Sequence, residues 1–376
     1  MPPIVPTGAL SARSLTGVAP EILLSLSGGS DVLAPARSAV LFVIDGLGAH
    51  QLRAHAGHAR RLASFGGKKD VARTVFPSTT AAALTSILTG SDPGEHGLVG
   101  YRVLDPDRGR LANQLNGYEK DGLDPATWQR RPTMFERAAA EGRRTFAVGL
   151  AEFARSGLTA AILRGAEYVS SDDVRMRVRL AYELAAGEPG SLVYCYLPEI
   201  DKAGHKRGID SDAWISALED VDAAFAAAVP AGVGAVVTAD HGMVDVPRHR
   251  HVLLRDGDPR LDGVAHLGGE PRLLHVYLEA GVDADAAAAA WGSESGRTAD
   301  VVTRDEAIAA GLFGAVADEV RGRIGDLVVA ARGTWAFYDD RLEDKRPQDM
   351  IGQHGSVTPE EVTVPLLRLG AYALAR

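Results

Sequence analysis

A mixed α/β fold with a mostly parallel central sheet flanked by helices is what this sequence predicts. Three observations carry that expectation. Apolar runs of strand length recur at residues 38–44, 191–197 and 234–239. They are continuous rather than alternating, as expected of parallel strands covered on both faces. Segments with helical spacing separate them, and this alternation is the pattern of α/β proteins. Two of the runs also end in an acidic residue beside glycine, Asp45-Gly46 and Asp240-His241-Gly242. In open α/β sheets, ligands bind beyond the carboxyl ends of the strands.

Taken in order, Ser38-Ala-Val-Leu-Phe-Val-Ile is the first strand and residues 51–64 are expected as a helix. Thr80-Ala-Ala-Ala-Leu-Thr-Ser-Ile-Leu is a second helix. Ser78 or Thr79 can cap its start and Gly90 can end it. Residues 133–141 read as a helix, Thr145 to Leu150 as a strand, and about 172–187 as a helix leading into the strand Ser191 to Leu197. The Ala-rich stretch 211–229 is helical and precedes the strand beginning at Gly234. From 248 to 340 the pattern is less regular, with apolar runs at Leu273 to Leu278 and Leu327 to Ala331. The expectation is a single domain over residues 1–376, with about 248–340 forming a cap or insertion.

Composition sets the class. The chain has 376 residues, 46% of them hydrophobic and 24% charged, with a formal net charge of −9. That is enough for a large core, and it offers no basic stripe for a nucleic-acid partner. Arg143-Arg144 and Arg248 to Arg250 read as solvated faces. Cys195 is the one cysteine and sits in an apolar run, so no internal disulfide forms and a buried small side chain is expected. The first 30 residues lack a basic start leading into a clean apolar stretch, since Pro20 and Glu21 interrupt the only candidate. No apolar run is long enough to span a bilayer. A cytoplasmic protein with no membrane partner is the resulting expectation. The Ala-rich helices leave a homo-oligomer open.

Seven residues point to metal chemistry: Asp45, Thr80, Asp201, His205, Asp240, His241 and His354. Each has a bland reading when taken alone, as a turn, cap or surface group. Together they form three strand-end signals, a loop histidine and a helix-start hydroxyl. Asp201 and His205 are spaced to share one face of a helical turn. Asp240 and His241 cannot share a strand face, but both can swing toward one ion where the strand becomes a turn. His354 lies between glycines in Gly352-Gln-His-Gly355, without apolar periodicity. Carboxylate oxygen with neutral imidazole suits zinc, and also manganese or iron. Two adjacent ions can clamp the attacking and leaving oxygens of an in-line displacement. A hydroxyl at a helix start would meet phosphate where backbone amides and the helix dipole favour an anion. The local sequence does not separate Thr79 from Thr80 as that hydroxyl.

This ordered set resembles the alkaline phosphatase superfamily, and within it the nucleotide pyrophosphatase/phosphodiesterase branch. The residues that carry the resemblance are Phe42-Val-Ile-Asp45-Gly46, Phe76-Pro-Ser-Thr-Thr80 through Leu88-Thr-Gly90, and His96-Gly-Leu-Val-Gly100. It continues through Asp201 to His205, Ala239-Asp-His-Gly242, Gly352-Gln-His-Gly355 and the run from Thr358 to Leu367. The resemblance implies an alkaline-phosphatase-like fold and assigns the nucleophile to Thr80. It implies one zinc held by Asp45, Thr80, Asp240 and His241, and a second held by Asp201, His205 and His354. The implied reaction is hydrolysis of phosphoester or phosphoanhydride bonds in a small nucleotide-like substrate, through a phosphothreonine intermediate.

The pattern departs from the family at one place. An asparagine that contacts phosphate is typical after the His-Gly-x-x-Gly run, and here Tyr101 and Arg102 follow. Both are candidate substrate contacts, since tyrosine can donate a hydrogen bond and arginine can bind phosphate bidentately. The departure leaves phosphomonoesters and phosphonoacetate-type carbon–phosphorus hydrolysis open as alternatives on the same site. A non-catalytic protein that binds metal or phosphate ligands is the alternative from another class. A sulfatase is disfavoured, because the one cysteine is far from the nucleophile segment.

Overall fold

The computed structural model describes residues 13–374, so the ends of the expected single domain, and the first part of the segment read for a secretory signal, lie outside it. A seven-stranded sheet forms the centre, in the order 71–73, 363–370, 233–238, 38–44, 192–197, 145–149, 167–170. Strand Ser38–Ile44 pairs in parallel with Val233–Thr238 on one side and Leu192–Leu197 on the other. Strand Thr145–Gly149 continues the parallel set, and only Thr363–Gly370 runs against its neighbours. Every residue of strands 38–44, 145–149 and 233–238 is buried. Their continuous apolar runs follow from that, because helices cover both faces. Among the described residues, no helix is long and apolar enough to cross a membrane.

The expected helices form with local differences. The stretch 51–64 is two helices, Ala49–Ala54 and Arg60–Ser64. Gly57 falls in the break, where its low helix propensity matters. The Asp222 carboxylate accepts from the Leu62 amide at 2.8 Å and holds the second helix in its own direction. The Ala-rich helix is Asp212–Ala224 rather than reaching 229. Pro230 disfavours helical geometry at the residue before it, which shortens the run. Cys195 is fully buried, as its apolar run predicted.

Within the irregular stretch lies a second, antiparallel sheet, ordered 264–270, 273–278, 327–331, 299–303. Its strands alternate strictly between two cores. Leu273, Val328 and Ala330 join the main core, while Leu274, Val276, Leu327 and Val329 pack with Trp291 in another. Gly352–Gln353 pairs antiparallel with Val244–Asp245, which places the residue after it, His354, beside the end of strand 233–238.

A buried ion pair joins the second sheet to this segment. Arg272 donates to both oxygens of Glu361, at 3.0 and 2.7 Å, and neither side chain is exposed. Glu361 also accepts from the Ser356 amide at 3.0 Å and the Thr358 hydroxyl at 2.6 Å. Removing one partner strands a buried charge, which costs about 3–5 kcal/mol. Arg272→Met should therefore lower the unfolding free energy by about that amount in urea titrations. The double variant Arg272→Met/Glu361→Gln should recover part of the loss.

Candidate metal centre

Three parallel strands deliver the site. Asp45 follows strand 38–44, Asp240 follows strand 233–238 by two residues, and strand 192–197 leads through Pro198 into helix Glu199–Arg207, which carries Asp201 and His205. Gly46 turns the chain immediately after Asp45 with a φ of +72°, and a Cβ there would sit 3.1 Å from Asp201. That close approach brings the first and second acidic residues together. Asp45, Asp201 and His241 can present one ligand atom each within 4.8 Å of one another, and so can Asp201, His205 and His354. Asp201 thus lies within reach of both groups, whereas the resemblance placed it in one. The His241 Nε2 lies 3.4 Å from Asp45 Oδ1 and 3.3 Å from Asp240 Oδ2. The His205 Nε2 lies 3.3 Å from Asp201 Oδ1.

Thr79 and Thr80 are told apart by where their side chains go. Helix Thr80–Thr89 begins at Thr79, whose hydroxyl caps it by accepting the Ala82 amide, and ends at Gly90 in the left-handed conformation. Thr80 Oγ1 faces the cluster, 3.1 Å from His241 Nε2. All seven residues that the sequence singled out for metal therefore meet in one place.

The histidines are oriented by backbone carbonyls. His205 Nδ1 donates to Gly352 at 2.7 Å, His354 Nδ1 to Ser78 at 2.9 Å, and His241 Nδ1 to Gly242 at 3.2 Å. A carbonyl can only accept, so each Nδ1 carries a proton, and Nε2 is the nitrogen each ring turns to the cluster. The rings of His241 and His354 stack with centroids 3.6 Å apart. Burial holds the pKa of both below the usual imidazole range, and proximity to neighbouring histidines adds to the effect.

The carboxylates are held in the opposite sense. Burial raises Asp45 well above the usual carboxylate range, and the charges of Asp201 and Asp240 push it further. Asp201 and Asp240 are also raised by burial, against the attraction of His205 and His241 respectively. Asp45 Oδ1, Asp201 Oδ1 and Asp240 Oδ2 are buried without a hydrogen-bond partner. Such groups are costly unless something satisfies them. The other oxygens of Asp45 and Asp240 are anchored: Tyr196 donates to Asp45 Oδ2, and the Gly46 and His241 amides donate to Asp240 Oδ1. Orphaned carboxylate oxygens beside imidazole nitrogens are the donor set that divalent cations take. The chain therefore has the capacity to hold divalent metal, and its residues fit the group.

A cavity of about 450 Å³ opens on the cluster and is lined by Asp45, Thr80, Asp201, His205 and His354 among others. Of the two candidate substrate contacts, Tyr101 lines it and Arg102 does not. Arg102 starts the strand Arg102–Asp105, and its charge acts on Asp339 instead. Sequence reading missed Glu270. It ends strand Val264–Glu270 and lines the cavity, and its Oε1 is buried without a partner. Burial raises its pKa well above the usual range, with Glu361 and Asp201 adding to the effect and Arg272 opposing it. A Cβ at Gly355 would sit 2.7 Å from Glu270 Oε1, so the glycine beside His354 makes room for this carboxylate. The signal available in sequence was again a strand-end acid after glycines, Gly268-Gly269-Glu270, but without the apolar run that marked the others.

Similarity to known proteins agrees with this geometry. The type I phosphodiesterase / nucleotide pyrophosphatase family matches residues 39–357. Ectonucleotide pyrophosphatase/phosphodiesterase family member 3 of Mus musculus is 25% identical over 248 residues, and that of Rattus norvegicus 26%. The match covers 62% of this chain and 28% of those proteins, so the chain corresponds to about a quarter of their length. Murine ectonucleotide pyrophosphatase/phosphodiesterase 5, solved as an inactive threonine-to-alanine variant with AMP, superimposes with a TM-score of 0.67 at 18% identity. That superposition covers 89% of this chain and 88% of the other. Phosphonoacetate hydrolase from Sinorhizobium meliloti, in complex with phosphonoformate, gives 0.66 at 21% identity, over 90% and 94% of the two chains. These likenesses establish the shared fold.

Metal binding should be visible in stability. The carboxylates have raised folded pKa values, so their contribution is fully present below about pH 4 and is lost as pH rises through the folded values. The buried histidines have lowered values, so their contribution is present above about pH 6.5 and is lost as pH falls through the folded values. A cation needs the carboxylates ionised and the imidazoles neutral, so its affinity falls on acidification. Zinc added to chelator-treated protein at pH 7.5 should raise Tm, by about 2.7 kcal/mol of stability at a hundredfold excess over Kd. The rise should shrink markedly at pH 5, as read by scanning calorimetry at both pH values.

Proposed function

The chain belongs to the type I phosphodiesterase / nucleotide pyrophosphatase family, and from that premise we propose that it is a metal-dependent hydrolase of phosphoester or phosphonate-ester bonds with Thr80 as its nucleophile. One observation carries the reading. The Thr80 hydroxyl stands at a helix start, 3.1 Å from His241 Nε2, facing the cluster of unsatisfied carboxylates across an open cavity. Binding a metal requires no hydroxyl there, whereas attack on phosphorus does. The inactive threonine-to-alanine variant of the murine relative supports a threonine in this role.

Two divalent ions, zinc by ligand type, are the proposed cofactor. Asp45, Asp240, His241 and Thr80 would hold one, and Asp201, His205 and His354 the other, with Asp201 within reach of both. When bound, the ions favour the ionised threonine oxygen and offset charge on the phosphate. The chain's own residues do the rest. Thr79 caps the helix and leaves Thr80 free to turn into the cavity. The positive end of the helix dipole at Thr80 would favour the negative oxygens of the substrate. The oxygen of Thr80 forms a bond to phosphorus as the bond to the leaving oxygen breaks, giving phosphothreonine. Water then attacks phosphorus, releasing the product and restoring the hydroxyl. Tyr196 holds Asp45, and the carbonyls of Ser78, Gly242 and Gly352 hold the three imidazoles through both steps.

With divalent metal present, bis(p-nitrophenyl) phosphate should release p-nitrophenolate, and chelator should stop it. Thr80→Ala should lower kcat by at least about a thousandfold while leaving the metal content unchanged to within one ion. Acid quenching during turnover of a ³²P-labelled diester should trap label on Thr80. Undiminished turnover by Thr80→Ala would remove the threonine from the chemistry.

A further inference from the structure

The cavity at Thr80 is much larger than a phosphate group needs. Its volume of about 450 Å³ falls within the range of pockets that enclose small organic molecules, about 300–1,000 Å³. Away from the metal ligands its wall is Leu84, Val148, Leu158 and Ile162. These come from helix 80–89, strand 145–149 and helix Gly157–Ile162. The wall is therefore built on regular elements that belong to the main core. Tyr168 also lines it, and its hydroxyl is already used on the Leu150 carbonyl at 2.8 Å, so it offers its ring.

Several polar groups around this end are committed within the protein, while Tyr101 and Asn116 also line the cavity. The Ser156 hydroxyl bonds to the Thr159 hydroxyl at 3.0 Å. Lys202 is the one lysine or arginine among the described lining residues. Its ammonium pairs with Glu152 at 2.5 Å and lies 5.0 Å from the centre of the Phe153 ring. A second phosphate or a carboxylate on the substrate would find no unpaired cation along this wall. A ribose set against Leu158 and Ile162 would lose hydration there with no partner from those side chains.

We propose that this end of the cavity is the subsite for an uncharged apolar group on phosphorus, aryl or branched alkyl. The preferred substrates are then phosphodiesters or phosphonate monoesters carrying one such group in place of a nucleoside. This rests on the hydrolase reading above and narrows its substrate.

The p-nitrophenyl esters of phenylphosphonate, methylphosphonate and thymidine 5′-phosphate release the same chromophore; the first two differ only in the carbon group on phosphorus, and the third carries a nucleoside through oxygen. With metal-loaded protein, kcat/KM for the phenylphosphonate ester should exceed that for the methylphosphonate ester by about tenfold or more. The thymidine ester should do no better than the methyl ester. Thr159→Phe and Leu163→Trp, at half-buried lining positions away from the ligands, should each reduce the phenyl advantage to about twofold or less while leaving the methyl ester little changed. Equal values for the phenyl and methyl esters, a preference for the thymidine ester, or parallel losses on both phosphonates in both variants would overturn the subsite and leave the hydrolase reading standing. Release from none of the esters would overturn the hydrolase reading and the subsite with it.

Discussion

Three carboxylates that repel one another are gathered where water cannot satisfy them, and the rest of the structure is arranged around that fact. Asp45, Asp201 and Asp240 each leave one buried oxygen without a hydrogen-bond partner. Ordinary folding would separate such groups or pair them with arginine. Here they converge because three adjacent parallel strands end on the same side of the sheet, and each chain turns inward just past its end. The position of Gly46 against Asp201 shows how little room is left for anything else. The cluster makes energetic sense for a protein with the capacity to hold divalent cations in that space.

The layers outside the cluster serve its orientation. Each histidine is fixed through Nδ1 by a backbone carbonyl, so none depends on a mobile side chain for its direction. His354 is the residue that needs the most help, because its own segment has no long strand. It is held by the two-residue pairing of Gly352–Gln353 with Val244–Asp245 and by the nearby ion pair of Arg272 with Glu361. That ion pair reaches into the second sheet. The sheet therefore contributes to the site in two ways, by bracing the segment after His354 and by bringing Glu270 to the cavity.

The cavity divides into two chemically different ends. One end is ionic, with Thr80 at a helix start. The other is apolar, formed by the same helix at Leu84 and by neighbouring elements of the main core. Helix 80–89 thus presents the Thr80 hydroxyl in its first turn and a hydrophobic surface one turn later. This spacing fixes the distance between the hydroxyl and the apolar end, because both ride on one helix. Tyr101 lines the same space and Arg102 does not, so one of the two residues at the departure from the family pattern reaches the cavity.

The sequence by itself determined the four central parallel strands, 38–44, 145–149, 192–197 and 233–238, because continuous apolar runs have few alternatives in a chain of this size, whereas strands 71–73, 167–170 and 363–370 were not read from it. It also determined the acids at their ends, since an ionisable residue directly after such a run cannot be core. The helix start at residues 79–80 was legible from its capping chemistry, although which threonine did the capping was not. That choice depends on which hydroxyl faces Ala82 and which faces His241, a matter of backbone direction. The break between helices 49–54 and 60–64 was hidden for a similar reason, as the capping carboxylate of Asp222 comes from a distant helix. Only the tertiary structure brought Glu270 to the cavity, placed Asp201 within reach of both ligand groups, and turned Arg102 away. Each of these depends on long-range packing, and local periodicity carries no information about where distant segments meet.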